Sequence, residues 1–138
     1  MSFNTNRFTQ KSEEAIIAAQ NLAERNGNSQ VEPEHLLLAL LEQTDGVVPA
    51  VLGKLNIPVG ALAQQVRAEI SKLSRVSGSA VQLDISNRLR NVLVRAHDEL
   101  AQFGDEYAST EHLLLAILTH AGGAAQRISS RPVSPATL

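Results

Sequence analysis

Cysteine is absent from the 138 residues. The fold therefore cannot rest on disulfides or on a thiolate zinc site, and a reducing, cytoplasmic setting is compatible with it. Tryptophan is absent too, and aromatics make up 3% of the chain, so the core has to be aliphatic. There is no cationic excess: the formal net charge is −2, and the arginines are scattered along the chain. Phosphate binding needs a cationic face, so nucleic acid is not expected as the main partner. The longest apolar runs, such as Leu36–Leu41, fall far short of the roughly 20 residues that span a bilayer, and no membrane partner is expected. The polar start, Met1–Asn6, lacks the apolar stretch of a signal peptide.

What is present fits a soluble globular domain. Apolar residues are 43% and charged residues 19%, within the usual range for such domains. A chain of this length can bury roughly two-thirds of its unfolded surface. The core-forming residues are Leu, Ile, Val and Ala. Ala and Leu favour helix, so the composition predicts an all-α domain.

One stretch occurs twice. Glu34-His35-Leu36-Leu37-Leu38-Ala39-Leu40-Leu41 returns as Glu111-His112-Leu113-Leu114-Leu115-Ala116-Ile117-Leu118, identical at seven of eight positions. The offset is 112 − 35 = 77 residues. A period that long is not a short solenoid repeat; it marks a helical unit built twice. Both copies are apolar almost all round, and a helix without a polar face has to be buried. They are expected to be the central helices of two related units.

Read in order, Thr9 caps a first helix that closes near Arg25-Asn26-Gly27-Asn28. Val31 stands alone in a connection, and Pro33 opens the first central helix, where its missing N–H costs nothing. Thr44-Asp45-Gly46 breaks that helix near Gln43. A short third helix spans Val48 to Leu55, and a fourth starts at Ile57-Pro58 with Leu62, Val66, Ile70 and Leu73 on one face. Residues 74–84 are small and polar, the linker between repeat one (about 9–73) and repeat two (about 85–138). Ser86 caps a fifth helix with an apolar stripe from Leu89 to Phe103, stopped by Gly104. Tyr107 falls within a residue or two of the position matching Val31. Ser109 caps the second central helix, and Ala124–Ile128 suits a short seventh. Val133–Leu138 resembles the start of the fourth helix, so the eighth is absent or incomplete, as in a fragment of a longer protein.

Plain structural roles are available for the notable side chains. Glu34 and Glu111 sit in first helical turns, where carboxylates suit the helix dipole. His35 and His112 have no second His or Cys at ligand spacing, and buried, hydrogen-bonded histidines are expected instead of metal ligands. Thr9 is a cap before it is a contact, Asp105 after Gly104 shapes a turn, and Leu93 falls on a core stripe. Ser, His and Asp are all present, but no motif assembles them into a catalytic triad.

The chain resembles the Clp repeat domain, the N-terminal domain of the Clp/Hsp100 AAA+ chaperones. Arg7-Phe8-Thr9, Val31–Leu41 and Gly104–Ala116 carry the resemblance, and the doubled Glu-His-Leu-Leu makes it specific. Ala96-His97-Asp98-Glu99 and the Asp-Glu-Tyr before Ser-Thr-Glu-His look most like the ClpB disaggregase branch. Arg-Phe-Thr is shared with the ClpC unfoldase branch. The resemblance implies two pseudo-twofold-related four-helix repeats in one domain. It implies a mobile module that captures unfolded or aggregated polypeptide, or an adaptor, in an apolar groove between the repeats, and passes it to an AAA+ ring. By position it implicates Thr9, Glu34, Leu93, Asp105 and Glu111 in substrate or partner binding; in ClpC-type domains the paired acidic position recognises phosphorylated arginine. No Gly-x-x-x-x-Gly-Lys-Ser/Thr motif is present, and Gly53-Lys54 lacks both flanking requirements. No cofactor is expected in this chain; ATP and Mg²⁺ belong to the ATPase modules, and the chain itself is not expected to be an enzyme. The competing expectations are an adaptor-docking domain of a ClpC- or ClpA-like unfoldase and a free-standing Clp-repeat accessory protein.

Overall fold

The computed structural model describes residues 7–75, 83–100, 104 and 106–121. Among these, six helices and one very short parallel sheet are arranged in the order α1 (Gln10–Arg25), β1 (Gln30–Val31), α2 (Pro33–Glu42), α3 (Val47–Lys54), α4 (Val59–Ser71), β2 (Asp84–Ile85), α5 (Asn87–Asp98) and α6 (Thr110–His120). The fold is all-α, as the composition predicts. The expected seventh helix at Ala124–Ile128, the segment Val133–Leu138, Asp105 and Phe103 lie outside the described residues. The fifth helix does not run unbroken to the expected stop at Gly104: it ends at Asp98, with Glu99 as its C-cap.

Local chemistry accounts for the helix ends. Thr9 Oγ1 accepts the Ser12 N–H at 3.2 Å, and Ser86 Oγ accepts the Leu89 N–H at 3.0 Å. Each satisfies a donor that a helix start leaves free. Asn56 closes the turn after α3 at φ 60°, a left-handed conformation that asparagine tolerates. Along α1, Ala15, Ala19 and Ala23 are buried; without bulk beyond Cβ they let α2 pack closely.

The two central helices are not buried alike. Every residue of α2 from Pro33 to Leu41 is buried, enclosed by α1, α3, α4, α5 and α6. In α6 the buried residues are Thr110, Leu113, Ala116 and Ile117, while Leu115 is 39% exposed. Its repeat mate Leu38 is 3% exposed, because α4 covers that side of α2. The residues offset by 77 from α4 begin at Ala136, outside the described set.

Non-local pairing joins the repeats. In β1–β2, Gln30 pairs with Asp84 and Val31 with Ile85. A second parallel bridge joins Phe8 to Ala108. Adding 77 converts Phe8 to Ile85 and Val31 to Ala108, so the two pairings are one arrangement used twice. Each repeat lends its opening segment to the central-helix entrance of the other. The position matching Val31 is thus Ala108, fully buried and one residue beyond Tyr107, which is 51% exposed.

Candidate functional site

Parallel pairing brings helix starts together in twos. The Phe8–Ala108 bridge sets the N-terminus of α1 beside that of α6. The Thr9 N–H donates to Ala108 O at 3.0 Å, and the Ala108 N–H donates to Arg7 O at 2.7 Å. Ser12 Oγ, buried, also donates to Ala108 O at 2.9 Å. The Val31–Ile85 pair does the same for α2 and α5, with the Ser86 N–H donating to Val31 O at 3.1 Å. Each junction gathers free N–H groups and two positive dipole ends, a setting that favours carboxylates.

A histidine locks each central-helix entrance. His35 Nδ1 accepts the Glu32 N–H at 2.8 Å, and His112 Nδ1 accepts the Ser109 N–H at 2.9 Å. The imidazole thereby takes the place of the Glu or Gln that usually reaches back in a capping box. With Nδ1 accepting, His35 carries its proton on Nε2 and donates to Asn28 Oδ1 at 2.9 Å. Asn28 in turn donates to Ser74 O at 2.8 Å. Burial pushes the His35 pKa down to about 4, since a buried charge loses its hydration. His35 is a buried structural residue; His112 makes the same cap but is only partly buried.

The acidic pair, by contrast, splits. Glu34 is 2% exposed and its Oε2 lies 3.1 Å from Arg88 Nη2. The same guanidinium reaches Glu32 Oε1 at 3.2 Å and Ala121 O at 3.2 Å. Arg88 belongs to α5, so it ties the second repeat to the start of α2. Its repeat counterpart is 88 − 77 = 11, a lysine. Lys11 turns instead to Asp45 at 2.7 Å and Glu14 at 3.8 Å. Glu111 is therefore exposed and makes no ion pair among the described residues.

The structure places the sequence-predicted site residues unequally. Thr9 and the entrance to Glu111 are brought together through Ala108. Glu34 is closed off under Arg88, and Leu93 is fully buried in the core, so neither presents a surface in this state. The core placement of Leu93 follows the periodicity of its helix. Sequence reading passed over Arg88; the signal available was its match, at the repeat offset, to Lys11 two residues past a cap.

Three large apolar or aromatic side chains of the second repeat are exposed: Leu115, Tyr107 and Val94. Leu115 is one helical turn beyond Glu111, and Tyr107 lies in the segment leading to Ser109. Val94 is on α5, and α5 packs against α6.

The family model described as the Clp repeat N-terminal domain matches residues 7–130. The chaperone protein ClpB of Bdellovibrio bacteriovorus is 44% identical over 111 residues, covering 80% of this chain and 13% of that protein. ClpB of Bacillus cereus is 39% identical over 120 residues, covering 85% of this chain and 14% of that protein. The chain thus spans about one-seventh of the length of these curated relatives. The N-terminal domain of the ClpV1 ATPase from E. coli shares the fold, with a TM-score of 0.81 at 21% identity over 94% of this chain and 78% of that one.

Proposed function

The chain belongs to the Clp repeat N-terminal domain family, and from that premise we propose that it is the substrate- and partner-capturing domain of a ClpB-like chaperone. It holds exposed segments of unfolded or aggregated polypeptide weakly and reversibly, and hands them to an AAA+ ring in the parent protein. Thr9 and Glu111 form the polar edge, with Asp105 assigned to the same edge by resemblance. Leu115, Tyr107 and Val94 offer apolar surface. Removal of client side chains from water contributes roughly 25 cal/mol per Å², and the carboxylate favours basic segments over acidic ones.

The observation that carries this reading is the open carboxylate of Glu111 where its repeat mate is already occupied. Arg88 on Glu32 and Glu34 supplies an internal precedent for a guanidinium on an acidic first turn. A client arginine at Glu111 repeats that chemistry from outside. The same precedent favours, as a second reading, docking of an adaptor or of a phosphoarginine-marked substrate, as the resemblance to ClpC-type domains implies.

The test is binding of a fluorescent unfolded polypeptide rich in Leu and Arg. Glu111→Ala is expected to weaken affinity about fivefold, the scale of an exposed charge contact near 1 kcal/mol, with helicity unchanged. Unaltered affinity in that variant removes Glu111 from the site.

A further inference from the structure

The first repeat carries an open trough that the capture site does not use. It is formed by two cavities of about 300 and about 260 Å³ along α1, α2 and α4. They share Leu22, Arg25 and Glu42, so they form one continuous surface. Its floor is apolar: Leu22, Leu38 and Ile70. From Ala18 to Arg25 the helical rise gives a length of about 10 Å, enough for about three residues of extended chain.

The rim is cationic. Arg67 donates to Glu42 Oε2 at 2.7 Å, and that pair is neutral overall. Arg25 is exposed and makes no ion pair among the described residues. As a last-turn cation it suits the α1 dipole, but that role leaves the guanidinium donors free. The trough therefore presents one uncompensated positive charge over apolar ground, the opposite sign to Glu111.

That charge sets what the trough accepts. Outside the described residues the only acid is Asp105, joined directly to the described Gly104 and Glu106 of the second repeat; residues 1–6, 76–82, 101–103 and 122–138 contain no Asp or Glu, and 122–138 contains Arg127 and Arg131. These parts of the chain do not match an arginine rim. We propose that the trough docks a short acidic, leucine-bearing segment of a partner protein, with the leucine on Leu22, Leu38 and Ile70 and the carboxylate on Arg25. The domain then has two faces of opposite charge preference, one for basic unfolded clients and one for an acidic partner segment.

The experiment measures fluorescence anisotropy of two labelled peptides, Asp-Leu-Glu-Leu-Asp and Lys-Leu-Lys-Leu-Lys, against the folded chain. The acidic peptide is expected to bind. Arg25→Glu and Leu22→Asp should each weaken it at least tenfold, and Glu111→Ala should leave it unchanged. Retained acidic-peptide affinity in Arg25→Glu overturns the assignment, as does preference for the basic peptide at this trough. Concentration-dependent self-association abolished by Leu22→Asp also overturns it, by making a second copy the occupant. Because Glu111→Ala reads the capture edge and Arg25→Glu reads the trough, failure of either proposal is separable from failure of the other.

Discussion

His35 shows how one side chain can make a helix start depend on acidity. Its Nδ1 holds the Glu32 N–H, and its Nε2–H holds Asn28; protonation at Nδ1 removes the first of these. The pKa is near 4 in the folded chain against about 6.5 when unfolded. Between those values the unfolded chain binds more protons, so stability is complete above about pH 6.5 and declines as pH falls toward 4. The decline from this residue is on the order of 3 kcal/mol. Urea denaturation at pH 7 and pH 4.5 should show it, and His35→Gln, which keeps a reach-back acceptor, should flatten the slope while lowering stability at pH 7. An unchanged slope in the variant would assign the acid sensitivity to other groups. Arg88 is the second residue with a disproportionate effect. Arg88→Met leaves Glu34 as a buried charge without its main partner and is expected to cost about 2–4 kcal/mol, whereas Lys11→Met, at a pair open to solvent, should leave stability nearly unchanged. Chemical denaturation of both variants checks the contrast. The double change Glu34→Leu with Arg88→Met should recover most of the loss.

At the scale of elements, the helices were legible because their signals are local. Thr9, Ser86 and Ser109 stand where caps are needed, Pro33 opens α2, and the apolar spacing of α4 survives as buried Leu62, Val66 and Ile70. The sheet was not legible. β1 and β2 have two residues each, and their pairing depends on a partner more than fifty positions away. Val31 looked isolated for that reason, and its counterpart was legible only to within a residue or two of Tyr107. The acidic edge was half legible. Repetition pointed to Glu34 and Glu111 together, but burial of one and exposure of the other depend on Arg88, a tertiary partner no spacing rule reveals. The trough along α1, α2 and α4 had no signature at all, since Leu22 and Arg25 read as ordinary members of an amphipathic helix.

For the molecule as a whole, the traded opening segments bind the fate of the repeats together. Phe8 is held by the second repeat and Ile85 by the first, and Arg88 adds a charged tie in the same direction. Loss of packing in one repeat should therefore be felt in the other. Leu40, fully buried in α2, is expected to cost about 2–5 kcal/mol on change to Ala. Hydrogen exchange should then show α6 amides losing protection along with those of α2, in one cooperative step. Protection of α6 that outlasts α2 would mean the repeats open separately.

The reciprocal bridges also say something about ancestry. In a closed homodimer, position i of one subunit meets position j of the other, and j meets i in return. Phe8 with Ala108 and Val31 with Ile85 follow that rule across a spacing of 77. A single ancestral unit that paired with its own twin, later fused head to tail in one gene, would leave this signature. Once fused, its halves were free to diverge, one keeping an arginine over its acid and the other a lysine that looks away.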